Sequence, residues 1–81
     1  MIYTTTPRFD RAFKKFPRQV CSAFRKQAEF LLSDIRYPSL RAKKFDESVD
    51  VWQMRVTDNV RCYFAIDGDS YVFLDIEKHR D

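Results

Sequence analysis

The chain has 81 residues, of which 44% are apolar and 16% aromatic, and it holds a single Gly. That composition excludes intrinsic disorder and fits one small domain, residues 1–81, with a modest core. The net charge of +3 hides a split, because residues 1–44 carry +8 and residues 45–81 carry −5.

No run of residues reaches the roughly 18 apolar positions of a membrane span. Met1 to Pro7 lacks the apolar centre of an export signal, so the cytoplasm is the expected compartment. There Cys21 and Cys62 are expected as two packed thiols, not a staple. No CxxC pair, His cluster or Gly-rich phosphate loop is present, and no cofactor is expected.

In chain order, Ile2 to Thr5 is β-prone and reads as an edge strand. Thr6-Pro7 then reads as the N-cap and first position of a helix, with Phe9, Phe13 and Phe16 on one face. Pro17 ends that helix and opens a second, from about Arg18 to Ile35. Its buried stripe comprises Val20, Phe24, Gln27 or Ala28, Leu31 and Ile35. The pair forms a helical hairpin, closed by Tyr37-Pro38-Ser39. After a basic loop holding Arg41, Lys43 and Lys44, a short strand starts near Lys43. The period then changes to two. Trp52, Met54 and Val56, then Val60, Cys62, Phe64 and Ile66, then Val72, Leu74 and Ile76 mark one parity of three strands. Asp58-Asn59 and Asp67-Gly68-Asp69 are the turns, with Gly68 at positive φ. The expected fold is α+β, a helical hairpin packed on a three- to four-stranded antiparallel sheet.

Few residues offer chemistry. The lone His79 is either a surface residue near the terminus or a general acid or base, histidine being the side chain that exchanges protons near neutral pH. Arg55 and Arg61 interrupt apolar strands and should face the open side of the sheet, or its edge. There they either fork around one phosphate or pair across strands with Asp75 or Glu77. Their register depends on the turn: two residues put Arg61 opposite Val56, and a bulge changes that. Lys43 and Lys44 read as a solvated loop or as further cations for the same open face. The basic first half suits a polyanion or an acidic partner.

Taken in order, Phe9 to Phe16, Tyr37-Pro38-Ser39-Leu40-Arg41-Ala42-Lys43-Lys44-Phe45, Trp52 to Val56, Val60 to Phe64 and Ile76 to Asp81 resemble the RelE/ParE superfamily. Its members are the toxins of bacterial and archaeal toxin–antitoxin pairs. The resemblance implies a cognate small acidic antitoxin as partner, in a hetero-oligomer. It also implies one of two targets, messenger RNA on the ribosome for the RelE-like branch or DNA gyrase for the ParE-like branch. For metal-independent RNA cleavage it places Arg61 on the phosphate, Arg55 in support and His79 in proton transfer. Lys43 or Lys44 would be catalytic lysines, and Arg41, Lys43, Lys44, Arg80 and Tyr63 would contact RNA. His79 favours the nuclease branch. The family's aromatic residue beyond the last strand has no counterpart before Asp81, so Tyr63 or Tyr71 would have to stack in its place. The alternative is a gyrase poison, or a homologue that binds antitoxin without cutting.

Overall fold

A computed structural model of the chain describes residues 1–79. Strand β1 (Ile2–Thr5) is followed by helices α1 (Pro7–Phe13) and α2 (Arg18–Ser33). A 3₁₀ turn at Pro38–Leu40 then leads into β2 (Lys43–Asp46), β3 (Val51–Thr57), β4 (Val60–Asp67) and β5 (Ser70–Lys78).

The five strands form one sheet in the order β1-β5-β4-β3-β2. This corrects the expected three- to four-stranded antiparallel sheet. β2 to β5 form the antiparallel meander, but β1 lies parallel on β5, with Tyr3 opposite Tyr71 and Thr5 opposite Phe73. The sheet is mixed because the first strand pairs with the last, across almost the whole chain.

Thr6 makes that junction. Its hydroxyl accepts the Phe9 N–H at 3.1 Å, which caps α1, and donates to the Leu74 carbonyl at 3.2 Å. That carbonyl is available because Leu74 is an extra residue in β5. Tyr63 faces Asp75 and Phe64 faces Phe73, leaving Leu74 without a partner on β4. The bulge also reverses the parity of β5. Tyr71 and Phe73 are buried before it and Ile76 after it, in place of the simple alternation of Val72, Leu74 and Ile76.

Both helices pack on one face of the sheet. Phe9, Phe24, Phe64 and Phe73 are buried in the core, and Phe24 and Phe73 meet edge to face at 4.9 Å. Cys62 is buried there too, and Cys21 lies near the carbonyls of Phe13 and Phe16, so both thiols pack as expected. Gly68 stands at φ +60, as its turn requires. Among the described residues, no helix is long and apolar enough to cross a membrane.

Gln27 is the buried polar side chain of this core. Its amide donates to the carbonyls of Ser39 at 3.0 Å and Arg55 at 2.8 Å, and its oxygen accepts from Ser39 Oγ at 2.9 Å. β2 begins opposite Gln53, so no strand covers β3 at Arg55, and Gln27 satisfies the exposed carbonyl. Gln27→Ala removes all three bonds and leaves buried acceptors unpaired. Urea unfolding is expected to show a loss of roughly 2–4 kcal/mol.

Candidate functional site

The β3–β4 hairpin decides where the arginines stand. Thr57 pairs with Val60 around the two-residue turn Asp58-Asn59, and Val56 is an unpaired bulge residue. Arg55 therefore lies directly opposite Arg61. Met54, Val56, Val60 and Cys62 point into the core, which sends both arginines to the face the helices leave open.

Like charges placed opposite each other across strands repel. The structure offsets this with oxygen atoms. Arg55 pairs with the carboxylate of Asp58 and keeps 29% of its side chain exposed. Arg61 Nη1 donates to the carbonyls of Thr57, Asp58 and Val60 at 2.7, 3.3 and 3.2 Å. Glu77 is the β5 residue opposite Arg61, and it takes a different partner, the hydroxyl of Tyr63 at 2.7 Å. The cross-strand pairing of arginine with Asp75 or Glu77 is thus replaced by Asp58 and main-chain carbonyls.

His79 reaches the same end of the sheet. It follows β5 directly, and its N–H donates to the Asn59 carbonyl in the hairpin turn at 2.7 Å. Its position is two residues beyond Glu77. Arg55, Arg61 and His79, scattered in sequence, are brought to one corner.

The lysines are separated. Lys43 faces Gln53 and shares the parity of the arginines. Lys44 faces Trp52 and turns to the helix side, where it pairs with Asp50 and lies 5.6 Å from the Trp52 ring centre. Neighbouring strand residues alternate faces, so Lys44 does not share the open face with Lys43. Arg41 has φ 48 and lines another cleft, with Arg36, Tyr37 and Trp52. Tyr71 is buried against Phe64 and cannot stack on a base as expected. Arg80 lies outside the described residues.

Next to the arginine corner is a cleft of about 330 Å³, lined by Arg8, Phe45, Val51, Tyr63, Leu74, Asp75 and Glu77. Phe45 and Tyr63 meet edge to face at 4.9 Å. Arg8 of α1 pairs with Asp75 at 3.3 Å. Sequence reading weighed Asp75 and Glu77 only as partners of the arginines and missed Phe45 and Asp58 as neighbours of the site. Phe45 had the alternation of its strand as a signal, and Asp58, in the turn, had none. Among the described residues, no three His, Cys, Asp or Glu side chains are grouped to hold a metal ion. Burial pushes the Cys62 thiol well up and keeps it protonated.

The whole chain has structural relatives. It matches the RelBE2 toxin–antitoxin complex from Mycobacterium tuberculosis with a TM-score of 0.75 and 21% identity, over 98% of this chain and 96% of that one. It matches YafQ from E. coli strain BL21(DE3) with a TM-score of 0.77 and 9% identity, over 94% and 90%. A YoeB/ParE toxin from Agrobacterium tumefaciens gives 0.67 and 14%, over 99% and 100%. No family model matches the chain, and no curated protein matches its sequence.

Burial, the bond to Glu77 and the charges of Glu77 and Asp75 push the Tyr63 phenol from its ordinary 10.0 up to about 12. A raised value means that the folded state holds this proton longer than the unfolded chain. The resulting stability is complete below pH 10 and is lost as pH rises through 12. Burial raises the Tyr71 phenol as well, so the signal to follow in an ultraviolet titration is the one that Glu77→Gln moves back toward 10 by removing a negative neighbour of Tyr63.

Proposed function

We propose that this chain, which has the fold shared by these toxins, is the toxin of a toxin–antitoxin pair and cuts messenger RNA held by the ribosome. The observation that carries this reading is the Arg55–Arg61 pair, set face to face by the Val56 bulge with His79 tied to the same turn.

Cleavage without a metal starts from the RNA itself. The 2′-hydroxyl gives up its proton and attacks the adjacent phosphorus. The bond to the 5′-oxygen breaks and that oxygen is protonated, leaving a cyclic phosphate and a 5′-hydroxyl. The crowded, charge-rich intermediate needs cations already in place. Two guanidiniums that repel one another meet that need, because a phosphate between them relieves the repulsion. Arg61, fixed by three carbonyls, is the phosphate anchor, and Arg55 exchanges Asp58 for phosphate. His79 moves a proton, and Lys43 adds positive charge on the open face. The ribosome supplies orientation, which this small site need not provide alone.

A small acidic antitoxin is the second partner. Arg11, Lys14, Lys15, Arg18, Arg25 and Lys26 are exposed on the helical side and form the surface it covers. Binding should weaken as salt rises.

The burial of Tyr71 favours one competing reading. It leaves Tyr63 alone, of the two tyrosines expected to stack on a base, able to do so, which suits a gyrase poison or a homologue that only binds antitoxin. Mapping messenger RNA 5′ ends after brief induction separates the two. The nuclease produces new ends inside translated codons. Arg61→Ala lowers them roughly 10²–10³-fold, and His79→Ala removes most of them. Growth arrest with no new ends would refute the nuclease and leave the binding-only readings.

A further inference from the structure

We infer that the cleft walled by Phe45, Tyr63 and Glu77 selects a guanine base next to the phosphate site. The inference rests on the RNA reading above and adds the base that the site prefers.

The cleft has the walls a base needs. Two aromatic rings and the aliphatic Val51 and Leu74 line it, which suits the flat apolar faces of a nucleobase. Its place is right for a nucleotide. Tyr63 lies two residues from Arg61 on the same face of β4, about 7 Å along the strand. That is the reach from a nucleotide's phosphate to its base, so a phosphate on the arginines lays its base over Tyr63.

The polar groups then choose among bases. Asp75 is already engaged: one oxygen accepts the Ile76 N–H at 2.9 Å, and the other pairs with Arg8. Glu77 is not saturated. Its Oε1 accepts from Tyr63, and among the described residues nothing donates to its second oxygen. The Tyr63 hydroxyl fixes the carboxylate beside the rings while leaving acceptor positions on both oxygens. A carboxylate of this kind calls for two adjacent donors. The Watson–Crick edge of guanine offers N1–H and the 2-amino group side by side. Adenine and cytosine offer one amino group beside an acceptor, and uracil one N–H between two carbonyls. An acceptor facing the carboxylate is repelled, so the same group that binds guanine rejects the others.

The test is titration of the isotope-labelled protein with the 5′-monophosphates of guanosine, adenosine, cytidine, uridine and inosine, followed by amide shifts. Guanosine monophosphate should shift Phe45, Tyr63 and Glu77 and bind at least about fivefold tighter than the other four. Inosine, which lacks the 2-amino group, should lose that advantage. Glu77→Gln should bind all five at least as well, having lost a negative charge, but with no preference. Tyr63→Phe, which keeps the ring and frees the carboxylate, should narrow the preference. Equal binding of all five, shifts confined to Arg55 and Arg61, or an unchanged preference in Glu77→Gln overturns the inference. The outcome is separable from the nuclease reading. Guanine-selective binding without messenger RNA cuts would sink the nuclease and leave the cleft standing. Cuts without guanine-selective binding would do the reverse.

Discussion

The hydrogen bond from Gln27 to the Arg55 carbonyl ties the helical layer to the strand that carries the site. Apolar contacts hold α2 on the sheet, but burial of apolar surface has no direction and tolerates sliding. A carboxamide with three bonds does not. It fixes α2, the 3₁₀ turn and β3 in one arrangement at the point where β2 stops covering β3. The main chain of Arg55 is thus anchored from the helix side while its side chain lies on the other, paired with Asp58.

The same position goes against a local rule of strand pairing. A hairpin chosen for stability would not set two arginines opposite each other. Here Asp58 and three carbonyls offset the repulsion, and none of them neutralises both guanidiniums. What remains is a corner where two guanidiniums stand face to face, a broken local rule of the kind that marks it as a candidate site.

Charge is distributed accordingly. The basic first half of the chain supplies the exposed helical surface, and the acidic second half supplies Asp58, Asp75 and Glu77 beside the arginines. One surface attracts a polyanion or an acidic chain through its net charge. The other is balanced, so local pairing governs what it accepts. The chain's modest net charge is the sum of two surfaces of different charge balance.

Much of this was legible along the chain. The Thr6-Pro7 start of α1, the apolar stripe of α2 through Phe24, Ala28 and Leu31, and the alternation of β3 and β4 are local patterns. Helix caps and side-chain periods are set by residues a few positions apart. The outward direction of Arg55 and Arg61 followed from the same alternation. Three things did not follow. β1 pairs in parallel with a strand nearly 70 residues away, and no local pattern encodes a partner at that distance. The bulges at Val56 and Leu74 each reverse a parity; the first accompanies the two-residue turn, and the second frees the Leu74 carbonyl that Thr6 takes. The burial of Tyr71 and the cleft of Phe45, Tyr63 and Glu77 depend on those registers. The sequence by itself determined which segments are helix or strand and which side chains avoid the core, because those choices are local. Only the tertiary structure decided which charges face each other, because register is a property of paired strands and a shift of one residue changes every neighbour.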